Sequence, residues 1–338
     1  MKKVEDKWQE IWSQYDIRVT NRYRCRSGLV FAADQGLFLL RPYRGSGKEL
    51  ESREKIKNLL VEKGCSRVDL AVKTEKEEYL AQDRYHNLWM LYRWSAGEEC
   101  ESGNPQDLVT CAEHLGYLHT LLQTGEETGE AEWQRQQSRM DVADQMERHT
   151  REMQRIRRYI RGKHRKNEIE ICLLHASGEA VEQAGKACSI LGDQDLDPLW
   201  QRSRCQTRIC HGHYSYHQVL KEKEGLFTGG FDHAKPGLQV RDLHEYLQKV
   251  MEKNEWDDVL LEDMVRAYES RRVLEEEEKY ILYAMLLYPS KYWKLMNGYF
   301  HGSKTWIPGK SMEKYRQVMG QEQRRQACLD KIPSILWG

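Results

Sequence analysis

The sequence has no long apolar run, no Cys-x-x-Cys pair and no excess of charge of either sign. Its longest apolar stretch, Tyr280–Tyr288, is too short to span a bilayer. The opening residues, MKKVEDKWQEIW, contain no apolar core of a secretory signal, so none is expected. Lys and Arg number 53 and Asp and Glu also 53, which argues against a globally basic nucleic-acid binder and against an acidic solvating tail. The 9 cysteines are odd in number and unpaired in spacing, which predicts reduced thiols rather than a zinc ribbon or a disulfide framework. Phenylalanine is scarce, at 5, but 10 Trp and 18 Tyr supply the aromatic mass of a packed core, which a disordered chain lacks. A chain of 338 residues exceeds what one core usually supports, roughly 250–300, so two lobes are expected.

The pattern changes character twice. Residues 3–16 carry Val4, Trp8, Ile11, Trp12 and Tyr15 at helical spacing. Ile17–Arg24, Gly28–Ala33 and Leu37–Arg41 then read as strands, punctuated by Arg26-Ser27-Gly28 and Asp34-Gln35-Gly36. Lys48–Lys63 reads as a helix closed by Gly64. Arg67–Val72 and Leu88–Trp94 add two strands, with a charged turn near Thr74–Glu78. The order is β-β-β-α-β-β. After Gly97 the chain turns helical, starting at Asn104-Pro105, an N-cap with proline at the first helical position. Residues 125–131 read as a linker, 133–191 as a helical hairpin turning near 162–167, and 192–207 as a polar connection. Short strand-like pieces return over 208–232, and helices resume from Asp242.

One segment carries chemistry. His211-Gly212-His213-Tyr214-Ser215-Tyr216-His217-Gln218-Val219-Leu220 is followed by Gly229-Gly230-Phe231-Asp232 and then by Arg241-Asp242-Leu243. With the β-β-β-α-β-β start, this resembles the aminoglycoside-phosphotransferase branch of the protein-kinase-like fold. The resemblance implies an α+β, bilobal architecture. A small antiparallel β N-lobe with one helix would span 1–96, as five strands plus helix after the N-terminal helix. A mainly helical C-lobe would span 97–338, holding the catalytic-loop position 211–220, the metal-motif position 229–232 and a helical insertion at about 133–191. That branch uses an Asp as base, an Asn five residues on and a second Asp for metal, and a strand-three Lys for phosphate. Here His213 stands at the base position, Gln218 at the Asn, Gly230 at the metal Asp and Arg41 at the Lys. His211 and Asp242 keep the structural positions, Asp242 as the helix residue that anchors the loop. Losing one preorganised electrostatic group typically lowers a rate roughly 10²–10³-fold, so four altered groups predict no ordinary kinase activity.

Downstream, Trp256, the run Leu282–Pro289, Lys291, Trp293 and Tyr299, and then Trp306-Ile307-Pro308, resemble the CotS-type spore coat proteins of endospore-forming Firmicutes. This resemblance spans nearly the whole chain. It implies synthesis in the mother-cell cytoplasm, deposition in the spore coat, other coat proteins as partners, and neither a membrane span nor a specific nucleic acid. The leading expectation is a non-catalytic scaffold without cofactor or metal. Two alternatives are an atypical phosphotransferase, with His213 as base and Asp232 as metal ligand, and a nucleotide-binding pseudokinase whose hinge near Leu91–Gly97 accepts the base. Both would take ATP and magnesium. Asp232 shares a face with Gly230 only if this stretch is extended.

The remaining features have plain structural readings. His211, His213, His217 and His233 lack a supporting metal motif and read as structural or solvent-facing histidines. The basic run Arg151–Lys166 reads as the solvated face of a helix whose other face carries Met153, Ile156 and Ile160. The aromatic C-terminal part reads as core packing of a helical lobe.

Overall fold

A computed structural model describes residues 8–125, 142–302 and 308–338. Two compact units emerge, one from residues 1–123 with 209–236 and the other from 124–208 with 237–338. The lobe boundary expected near residue 96 is thus a different division from these units, since the first takes in the following helix and the stretch 209–236.

The first unit is built on a six-stranded antiparallel sheet, one strand more than expected. β1 (Val19–Cys25), β2 (Gly28–Ala33) and β3 (Gly36–Pro42) form successive hairpins. β3 then pairs with β6 (Leu88–Trp94), and both β4 (Ala71–Val72) and β5 (Leu80–Gln82) also pair with β6. Alternate side chains go to opposite faces. Phe31, Leu40 and Leu91 pack with Ile11 and Tyr15 on one face, beside Trp8 and Trp12 of the helical segment at residues 8–12. Their neighbours Val30, Leu39 and Met90 pack on the other face with Leu50 of α1 (Gly47–Glu62). Burial on both faces explains why these strands read as nearly continuous apolar runs. Ser46 and Glu49 close the start of α1 with a capping box.

The expected strand Arg67–Val72 shortens to its last two residues because its first part is used elsewhere. Val68 bridges Thr228 in parallel, and the Thr228 N–H donates to the Arg67 carbonyl at 2.9 Å. The unit is completed by β7 (Glu98–Glu99), α2 (Pro105–Leu121) and four short strands: β8 (Ile209–Cys210), β9 (Val219–Glu222), β10 (Gly225–Thr228) and β11 (Lys235–Pro236). Asn104 caps α2 as its sequence predicts, its side chain accepting from the Gln106 N–H at 3.1 Å.

The second unit is helical. α3 (Val142–Gly162) and α4 (Glu168–Gly192) form the described part of the expected hairpin; its start at 133–141, the linker 126–131 and Trp306-Ile307 lie outside the described residues. Met153, Ile156 and Ile160 are fully buried while Arg151, Arg155 and Arg158 of the same helix are exposed, which is the amphipathic reading of this basic run. The stretch expected as a polar connection contains α5 (Asp197–Cys205), whose Leu199 and Trp200 are buried behind Pro198. Then follow α6 (Val240–Met251), α7 (Asp258–Glu269), α8 (Glu276–Leu287), α9 (Ser290–His301), α10 (Pro308–Leu329) and α11 (Ile332–Trp337). The aromatic tail is core only in part: Tyr288 and Tyr292 are buried, half-buried Trp293 stacks on His149 at 3.5 Å between ring centres, and Trp337 is exposed. Arg325 donates to the Leu286 and Leu287 carbonyls at 2.9 and 2.7 Å, closing the end of α8. Arg272 and Glu278, both buried, form a bidentate pair at 2.7 and 3.0 Å.

Candidate functional site

All the chemical positions singled out in the sequence, except Asp242, fall in the first unit. His211 directly follows β8 and is fully buried. Its Nε2 lies 3.1 Å from the Gly229 carbonyl, and its ring packs on Phe231. It therefore ties the loop 211–220 to the Gly229–Asp232 turn. Asp242 is buried in the first turn of α6, in the second unit. His213 is exposed, with its ring 5.7 Å from that of His233.

The two adjacent glycines explain the rest. Gly230 has φ +85°, a left-handed conformation that side-chain-bearing residues rarely adopt. A Cβ there would lie 2.4 Å from Nε2 and 2.8 Å from Cδ of Gln218. The Gln218 side chain, at the expected Asn position, thus fills the space that a side chain at 230 would take. At Gly229 a Cβ would lie 2.8 Å from the Trp94 ring, which also packs edge-on against Phe227 at 5.2 Å. Trp94 is the last residue of β6 and lies within the stretch Leu91–Gly97 expected as a hinge. The Gly230 N–H donates to Asp69 Oδ2 at 2.8 Å. Asp69 is almost fully buried; burial pushes its carboxyl up to about 6, against the pull of Lys57. Lys57, also buried, donates to the Asp69 carbonyl at 2.8 Å and pairs with Glu54 of its own helix.

From Phe231 to His233 the backbone is a 3₁₀ turn, not the extended stretch that would put Asp232 on the face of residue 230. The turn begins at left-handed Gly230, and it delivers Asp232 to Arg41. Arg41 Nη1 donates to Asp232 Oδ2 at 2.6 Å, and the Tyr92 hydroxyl donates to Asp232 Oδ1 at 3.4 Å. Arg41 Nε donates to the Ser27 carbonyl at 2.8 Å, drawing the β1–β2 turn onto the same group. Next in that turn, the Arg26 guanidinium lies against the His217 ring, with Nη1 2.8 Å from Nδ1. The strand-three cation is thus spent on this chain's own carboxylate and carbonyl. Asp69, Lys57 and Trp94 are site residues that the motif reading missed. The one signal in the sequence was an acid, Asp69, inside an apolar run. Among the described residues no group of three or more His, Cys, Asp or Glu side chains converges in a metal-holding arrangement. No described helix is long and apolar enough to cross a membrane.

A family model described as spore coat putative kinase YutH matches residues 8–332. The chain belongs to this spore coat kinase-like family. Solved structures agree on the fold. An aminoglycoside phosphotransferase from Alicyclobacillus acidocaldarius is similar, at TM-score 0.84 and 17% identity, covering 97% of this chain and 96% of its own. Spectinomycin phosphotransferase APH(9)-Ia, in complex with ADP and spectinomycin, matches at TM-score 0.62 and 12% identity over 95% and 98%. A microcompartment-associated aminopropanol kinase matches at TM-score 0.56 and 14% identity over 98% of each chain. At these identities the likeness shows the kinase-like phosphotransferase fold, α+β, as the motif pattern predicts.

Proposed function

We propose that this chain is a non-catalytic, kinase-like component of the bacterial spore coat, its nucleotide-and-metal centre converted into packed structure. The coat assignment rests on family membership. The loss of chemistry rests on one observation above all: the Gln218 side chain occupies the space that a side chain at Gly230 would need. Phosphoryl transfer is almost entirely positioning and charge neutralisation. The residues present do not fit a magnesium–nucleotide complex. No carboxylate stands at 230, the nearby Asp232 is held by Arg41, and Trp94 fills the space over Gly229. In this reading His213, Gln218, Gly230 and Arg41 carry no catalytic role, and His211 and Asp242 hold the frame.

The test is incubation of the purified protein with ATP labelled on the γ-phosphate and magnesium, alone and with spore coat extract. No transfer above a heat-denatured control is expected. Transfer that is lost in His213→Ala or Asp232→Ala would overturn the proposal in favour of an atypical phosphotransferase.

A further inference from the structure

The helical unit holds a cavity of about 560 Å³, a size typical of small-molecule sites. One wall is apolar and aromatic, formed by Trp256, Tyr288, Pro289, Tyr292, Leu295 and Val318. The charged lining is unbalanced. Its two acids are already engaged: Glu252 pairs with Lys291 at 2.9 Å and accepts from Gln248 at 3.0 Å. Glu322 pairs with Arg325 at 2.9 Å and accepts from Gln183 at 3.0 Å. Arg325 is in turn occupied by the carbonyls at the end of α8. Lys294, Lys310 and Lys314 also line the cavity, and none of them has a hydrogen bond or ion pair with a described residue.

Three ammonium groups around one concavity repel each other, and a partly enclosed cleft concentrates their field. An anion in the cavity relieves that repulsion, while the aromatic wall favours an apolar body. We infer that this cavity binds a small organic anion with a phosphate or equivalent multiply charged head and an apolar, flat body. The lysines would hold the head as point charges, and the apolar wall, with half-buried Leu295 and Val318 its more accessible members, would pack on the body. All these residues belong to the second unit, so the inference does not depend on the reading of the Gly229–Gly230 centre.

Isothermal titration with 1-naphthyl phosphate, and with 1-naphthol as the uncharged control, tests it on the full chain. Saturable binding of the phosphate, weakened by added salt and at least tenfold tighter than naphthol, is expected. The exposed Lys294→Ala/Lys314→Ala pair should weaken it at least tenfold without loss of fold. Gly298→Phe should block it, because a Cβ at Gly298 meets nothing within 4 Å and the ring would enter the cavity that Gly298 lines. Absence of saturable binding up to about 1 mM, or unchanged affinity in the folded lysine variant, overturns the inference.

Discussion

Gln218 and Gly230 share one space: the amide nitrogen of the first lies 2.4 Å from where the second would carry a Cβ. The two departures from the kinase pattern are therefore one coupled change. Returning an acid to 230 meets the left-handed backbone, worth about 1–2 kcal/mol, and must also displace the flexible end of Gln218, worth about 1 kcal/mol or less. Gly230→Asp should destabilise the protein by about 1–3 kcal/mol in urea unfolding. In Gln218→Ala/Gly230→Asp the displacement part should disappear, leaving a coupling energy of about 0.5–1 kcal/mol. Strict additivity of the two changes would show that the side chain is not what fills the position.

The Arg41–Asp232 pair has side chains 18% and 38% exposed. An ion pair that water reaches contributes little, about 1 kcal/mol or less, and salt screens it. Arg41→Ala should therefore lower stability by no more than about 1 kcal/mol, with a smaller difference at high salt. The significance of the pair lies in what it occupies, not in how much it stabilises. A loss several times larger in urea unfolding would mean that Arg41 is a core element of the fold.

Arg272 and Glu278 make the opposite case, since both are buried and Glu278 also accepts from the Glu275 N–H. Removing one partner strands a buried charge, at about 3–5 kcal/mol. Glu278→Ala should show this loss in urea unfolding, while Arg272→Met/Glu278→Leu should recover a large part of it. A double variant no better than the single one would place the loss in the capping of α8 instead.

Acid stability should depend on His244. Burial lowers its imidazole to about 4, helped by nearby Arg241, whereas an unfolded chain protonates near 6.5. The unfolded state thus takes up a proton first, so this contribution is fully present above about pH 6.5 and is lost as pH falls toward 4, up to about 3 kcal/mol. Asp69 acts in the other direction. Its folded carboxyl keeps the proton up to about 6, so its burial removes stability as pH rises from about 4 to 6. Urea midpoints of His244→Phe should fall less between pH 6.5 and 4.5 than those of the parent protein. Asp69→Asn should compare more favourably with the parent at pH 8 than at pH 4. Parallel curves for either variant would assign the pH dependence to other groups.

Much of the frame was legible because its signals are local. Asn104-Pro105 marks a helix start by itself, the alternation of Val30 with Phe31 and Leu39 with Leu40 marks strands, and His211-Gly212 marks the loop. The missed elements depend on distant partners. Val68 left the sheet because Thr228 was available to bridge it. β5 exists because β6 offers an edge, and its three residues are too few to declare a period. α5 was hidden by its charged surface, although Pro198, Leu199 and Trp200 were its start and its buried side. In the site, the substitutions at 213, 218 and 230 were visible as departures, but what replaced them was not. No spacing rule connects Trp94 to Gly229 or Arg41 to Asp232; sheet register and a 3₁₀ turn do.

The most direct test of the central claim is a thermal-shift titration of the full chain with ATP, with and without magnesium or manganese. A nucleotide at 100 times its dissociation constant would stabilise the protein by about 2.7 kcal/mol, an easily measured shift. With Gln218, Trp94 and the Arg41–Asp232 pair in the centre, no metal-dependent shift is predicted. A saturable shift that requires the metal and is lost in Asp232→Asn would contradict the account and establish a working nucleotide site.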